Sequence, residues 1–143
     1  MKIRIALLSL IALIYGCASS MLTPEEAERA LFAHSTWNLV ELQGKPVTTP
    51  EGRTSPSLSF TREGSRASGY GGCNRFTGTF TLEQVSRLRF SPLAATRMAC
   101  AGDTVESEFL HILETVDSYH VEGETLVLIR AGSTPLARLQ PAQ

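Results

Sequence analysis

From Phe76 to Thr81 the chain runs Phe-Thr-Gly-Thr-Phe-Thr, apolar residues alternating with threonine. A period of two belongs to a strand with one face in a core and the other in water, because successive side chains point to opposite sides of a pleated backbone. The same rhythm returns in short pieces. Leu58 and Phe60 alternate with Ser57, Ser59 and Thr61, and Leu88 and Phe90 continue the set. Earlier, Trp37 and Leu39, with Glu41 and Gln43 after them, are expected on one side of a strand and Asn38, Val40 and Leu42 on the other. Three further segments cover 119–121, 125–130 and 135–139, the first two joined by a tight turn at Glu122-Gly123-Glu124. Gly, Pro and Ser separate the segments, as strand punctuation requires. Apolar residues on both sides of some strands imply a sheet covered on both faces in places.

Two stretches break the rhythm. Across 103–116, Val105, Phe109, Ile112, Leu113 and Val116 fall on one face of a helix, and Asp103 with Glu106 three residues later resembles a capping box. Across 24–33, Thr23 is placed to cap, Pro24 suits the first helical position, and Glu25 and Glu26 favour the positive end of the helix dipole. The charge-rich make-up of this second helix, with Leu31 and Phe32 only at its end, predicts weak packing or a spacer. The expected class is therefore α+β, mostly β: a curved antiparallel sheet or partly open barrel, one main packed helix over 103–116 and a short N-terminal helix.

The first sixteen residues have the plan of a bacterial lipoprotein signal peptide. Lys2 and Arg4 precede an uncharged apolar run from Ile5 to Tyr15, too short for a spanning helix of about twenty residues. Ile14-Tyr15-Gly16 before Cys17 matches the lipobox, aliphatic at −3 and small at −1, which makes Cys17 the expected diacylglyceryl site and the first mature residue. An ordinary signal peptide cleaved near 18–20 is the alternative. Ala18, in place of Asp, fits sorting to the outer membrane. The organisation expected is 1–16 signal, 17–35 lipid tether with the short helix, and 36–141 one domain facing the periplasm.

The chain has 13 basic and 14 acidic side chains, and loss of Lys2 and Arg4 with the signal leaves a balance of about −3. No basic run marks a nucleic-acid surface. With Cys17 lipidated, Cys73 and Cys100 remain as an even pair in an oxidising compartment and outside any C-x-x-C, which favours a disulfide over a metal or redox motif. Two buried free thiols are the alternative.

The stretch from Gly69, GYGGCNRFTGTFTL, and the later LRFSPLAATRMAC, ending at Cys100, carry the most specific information. Together they resemble the META domain family signature, a GGCN-x-x-x-G-x-[YF] turn and strand followed by P-L-x-x-T-[RK]-M-A-C. A Trp37–Val47 segment of W-x-L form and a Tyr119–Leu128 segment of Y-x-[VI]-x-G-x-x-L-x-L form agree with the family in order. The match extends over nearly all of 36–140, and the family it resembles includes the HslJ-like heat-shock lipoproteins. It implies a barrel-like antiparallel sheet with a packed helix, and an association with heat shock, envelope stress and resistance to novobiocin. It marks Gly71, Gly72, Asn74, Gly78, Thr96, Arg97 and Met98 as motif residues that are structural or partner-binding.

The residues themselves read as architecture. Gly69, Gly71 and Gly72 suit positive φ or close backbone approach, and neither the Lys-Ser/Thr nor the helix of a phosphate loop follows them. Asn74 is a turn former, and Arg97 is expected to lay its stem on the sheet and pair with an acid. His34, His111 and His120 lie in different segments without zinc spacing, and Glu108, His111 and Glu114 share a helix face in the manner of a solvated surface. No nucleophile–base arrangement is visible, and no catalytic residue, metal or cofactor is expected. Two function classes follow. One is a non-catalytic, lipid-anchored envelope monomer that binds a protein or a small hydrophobic ligand entering at a barrel mouth or beside the 103–116 helix. The other is an envelope hydrolase or transferase with a site of dispersed polar residues, Asn74, Arg75, Arg97 and His120.

Overall fold

Inward residues of the alternating segments set the layout. The structure, a computed structural model, describes residues 23–83, 86–100, 102, 104–130 and 134–143. The expected leader 1–16, the lipid site Cys17, the beginning of the tether and Asp103 lie outside the described residues. Ten strands follow one another as β1 (Trp37–Leu42), β2 (Lys45–Pro46), β3 (Ser57–Thr61), β4 (Arg66–Tyr70), β5 (Arg75–Glu83), β6 (Arg87–Phe90), β7 (Ala94–Ala95), β8 (Ser118–Glu122), β9 (Thr125–Ile129) and β10 (Ala137–Pro141). Helix α1 is Pro24–Leu31 and α2 is Glu106–Thr115.

All pairings are antiparallel, in the order β10-β9-β8-β6-β5-β4-β3-β1-β2, and β1 also pairs with β10, so the sheet returns on itself. The ring is uneven. β4 and β5 share five pairs, whereas β6 and β8 meet at the single pair Arg87 and Ser118. A mostly β α+β domain of this kind is what the alternation predicts.

Unbroken alternation fails in β1. The register against β10 shifts between Leu39 and Glu41, a bulge that reverses parity, so Leu42 joins Trp37 and Leu39 in the core and Glu41 and Gln43 do not. Gln43 and Gly44 then turn with φ of 47° and 76°, the two positive values a tight two-residue hairpin needs. Strand β9 buries Leu126, Val127 and Leu128 in succession. Leu126 and Leu128 face the core; Val127 stands between His120 and Arg138 on the outer face, so polar side chains on neighbouring strands flank it there.

β5 ties two ends together through its inward rings. Phe80 meets Phe32 and Phe60, and Phe60 also meets Phe90. Four residues earlier, Phe76 meets Phe109 of α2 edge-on. Helix α1 begins as expected, with a reciprocal Thr23–Glu26 capping box and Pro24 in the first turn. It is not a loosely held spacer. Leu31 is fully buried, Ala27 nearly so, and the buried Trp37 donates its indole N–H to the Leu31 carbonyl at 3.1 Å. Its apolar face is short, but those few residues plug the sheet.

Helix α2 buries Phe109, Ile112 and Leu113 as its periodicity predicts, yet it starts at Glu106 rather than near 103. Val105 occupies the cap with no side-chain bond, and the Glu106 carboxylate serves another purpose.

Candidate functional site

The signature residues converge where β4 turns into β5. Gly71 and Gly72 carry the chain out of β4, and the Gly71 N–H returns to the Asn74 carbonyl at 2.8 Å. Gly72 adopts φ of 114°, outside the range of ordinary side chains. At Gly71 the constraint is space: a Cβ would lie 2.6 Å from Cγ of Glu106. Gly78 is likewise crossed by the 91–93 segment, where a Cβ would come within 2.7 Å of Leu93. Gly69 sits inside β4 rather than in the turn, and there it meets the expected close backbone approach, since a Cβ would run into the Ser57 carbonyl oxygen and lie 2.5 Å from the Phe76 ring.

Asn74 is the one buried polar residue among those described, at 5% exposure. Its amide offers two donors and two acceptor sites, and all four are engaged. Nδ2 donates to Oε1 of Glu106 at 2.8 Å and to the Met98 carbonyl at 3.4 Å. Oδ1 accepts from the Thr96 hydroxyl at 2.9 Å and the Met98 N–H at 2.7 Å. The other Glu106 oxygen accepts the Cys73 N–H at 3.2 Å and the Asn74 N–H. Thr96 closes the β5–β7 edge by taking the Arg75 N–H at 3.2 Å while its own N–H goes to the Arg75 carbonyl at 3.0 Å. Cys73 and Cys100 are bonded, their Cα atoms 5.8 Å apart, which resolves the thiol alternative.

Each part of this knot therefore holds another. Charge-assisted bonds to Glu106 fix the Gly-rich turn, Asn74 fixes the 96–98 segment, and the disulfide joins the two covalently. Glu106 is the member that sequence reasoning missed, having placed it in a capping box of its own helix. Cys73, Cys100 and Glu106 also bring donor atoms within 4.8 Å of one another, but sulfurs in a disulfide are not the thiolates that bind metal.

Other motif residues stay outside. Met98 is 61% exposed, and Arg97 is exposed without an ion pair among the described residues, so the expected acidic partner is not found. His120 lies on β8, whose neighbours are β6 and β9, with Nε2 2.7 Å from Glu122. That contact comes first among the causes holding the Glu122 carboxyl below its usual range, followed by Arg138. His120 thus lies apart from Asn74, Arg75 and Arg97, which the 74–75 and 96–98 segments bring to one region. Beside the knot, a cleft of about 230 Å³ opens between Val47, Pro50, Pro56, Gly72 and Val105, at the start of α2.

Compared with known families, residues 30–143 match the META domain. The chain belongs to the META domain family. Its fold is similar to a protein solved by NMR, at 28% identity and a TM-score of 0.60 over 84% of this chain and 95% of that one. An NMR structure of a protein from Burkholderia xenovorans matches over 100% of this chain and 99% of its own, at 22% identity and a TM-score of 0.65. A crystal structure of a DUF4847 family protein from Bacteroides vulgatus matches at 15% identity and a TM-score of 0.56, over 80% and 97%. The latter two likenesses concern the fold alone. A search of curated protein sequences returns no significant match.

Proposed function

We propose that this META domain protein is an HslJ-like lipoprotein, anchored through Cys17 to the outer membrane on its periplasmic side, that works by binding rather than by turnover. Its role is support of envelope stress tolerance or of resistance to novobiocin-type antibiotics, through a protein or small-ligand partner. The observation that carries the binding reading is the saturation of Asn74: the most buried polar group of the signature has no hydrogen-bonding position left for a substrate. Its neighbours are likewise engaged in holding chain segments together. Of the polar residues of the hydrolase or transferase alternative, Asn74, Arg75 and Arg97 gather at the β4–β5 turn and the 96–98 segment, but His120 lies on β8, with β6 between it and β5, which weighs against a shared reaction centre.

The anchor is tested by labelling with radioactive palmitate and by fractionation. Label and membrane retention should both disappear in Cys17→Ser; equal labelling would remove the lipoprotein reading. Binding is tested by crosslinking the full lipidated protein in envelopes of heat-shocked cells. A reproducible partner lost on altering surface residues supports it. Hydrolysis of an envelope substrate by the purified protein, abolished by His120→Ala without unfolding, would replace binding with catalysis.

A further inference from the structure

The outer face of β3, β4 and β5 carries a second, separate feature. Pairing places Ser57, Tyr70 and Arg75 in one row across the three strands and Ser59, Ser68 and Thr77 in the next. Arg66 follows in a third row between Thr61 and Thr79. These positions alternate with buried Leu58, Phe60, Ala67 and Phe76, so they face away from the core. β7 and the segments at Thr36 and Thr54 line the sides, giving a groove of about 660 Å³.

Its chemistry is one-sided. Eight of the lining side chains carry hydroxyls, Arg75 is the single charged one, and none is acidic. Among the described residues neither Arg75 nor Arg66 has an ion pair, and the hydroxyls of Ser57, Ser68, Tyr70 and Thr77 make no hydrogen bond within the protein. A hydroxyl both donates and accepts, which suits the hydroxyls of a sugar. A guanidinium fork suits a carboxylate or phosphate. Strand spacing of about 4.8 Å makes each row about 10 Å wide, enough for a pyranose ring lying across it. One aromatic ring, Tyr70, is available, whereas a single-stranded nucleic acid track uses several stacking platforms.

We propose that this groove binds an acidic oligosaccharide, its rings on the hydroxyl rows and its carboxylate or phosphate groups on Arg75 and, one row beyond the groove on the same face, on Arg66. The inference rests on the binding reading above and names the ligand class.

The test is titration of the full lipidated protein in detergent micelles with hexagalacturonate and with a phosphorylated mannan oligosaccharide. Neutral maltohexaose and a dT hexanucleotide serve as comparison arms, and amide shifts are followed by NMR. At least one acidic sugar should bind, shift Ser68, Tyr70 and Thr77, and weaken about tenfold or more in Arg75→Gln with the melting temperature unchanged. Arg66→Gln should weaken it in the same direction. Failure of both acidic sugars, equal binding of maltohexaose, tighter binding of the hexanucleotide, or indifference to Arg75→Gln overturns the proposal. If the sugars fail while envelope crosslinking still captures a partner, the binding reading stands and only this ligand assignment falls.

Discussion

The two ends of β5 are fastened by different chemistry. Around Phe80 the fastening is apolar: rings from Phe32, Phe60 and Phe90, with Leu31 and Trp37 sealed nearby. Around Asn74 and Arg75 it is polar and covalent, with Glu106, Thr96, Met98 and the disulfide. The apolar end gains from removing surface from water and is insensitive to reductant and charge. The polar end fastens two loop segments with few apolar side chains, the 71–74 turn and the 96–100 segment, to the start of α2, and it should respond to both. Perturbations aimed at each end in turn separate the two.

The largest effect is expected at the apolar end. Trp37→Ala removes a fully buried side chain and its bond to Leu31, and should cost about 3 to 5 kcal/mol in denaturant unfolding. That loss should be the same with and without reductant, because distant sites add. At the other end, Cys100→Ala opens a loop with sequence separation 27, worth about 3.5 kcal/mol on the chain-entropy model. Urea midpoints of the variant and of reduced wild type should coincide; a variant as stable as oxidised wild type would mean that the bond adds nothing.

Asn74→Asp should follow at about 3 kcal/mol, because it removes both donors and sets a second carboxylate against Glu106. Repulsion there favours a proton on the introduced carboxyl in the folded variant. The deficit should therefore be full at about pH 7 and shrink toward about pH 4, as melting temperatures across that range would show. A deficit independent of pH would place the two carboxyls apart. The smallest effect belongs to Tyr119, whose phenol is pushed up to about 12, chiefly by burial and then by Glu28. A raised folded pKa means stability intact below about 10 and lost as pH climbs through 12, by up to about 2.5 kcal/mol, a loss that Tyr119→Phe should abolish.

The contrast also explains what could be read in advance. β3, β5 and α2 were legible because their inward residues are large and regularly spaced, as Leu58 with Phe60, Phe76 with Phe80, and Phe109 with Ile112 and Leu113. β4 carried no such signal: its inward residues are only Ala67 and Gly69, and at Gly69 the Phe76 ring and the Ser57 carbonyl leave no room for a side chain. β2 and β7, two residues each, are too short for any period. The bulge in β1 shifts parity through pairing with β10, almost a hundred residues away, and no local pattern encodes it. Within the knot, the signature marked Gly71, Gly72, Cys73, Asn74, Thr96, Met98 and Cys100 together. Glu106 escaped because its partners lie 32 and 33 residues distant and its local context suits a helix cap equally well.

Amide hydrogen exchange at Cys73, Asn74 and Met98 tests most directly that the signature is a structural knot. These three N–H groups lie outside strands and helices, yet Glu106 accepts the first two and Asn74 the third. In a structural knot all three should exchange as slowly as strand amides in β4 and β5, and Glu106→Gln should accelerate Cys73 and Asn74 more than Met98. Exchange of all three at the rate of an open loop, unchanged by Glu106→Gln, would contradict it.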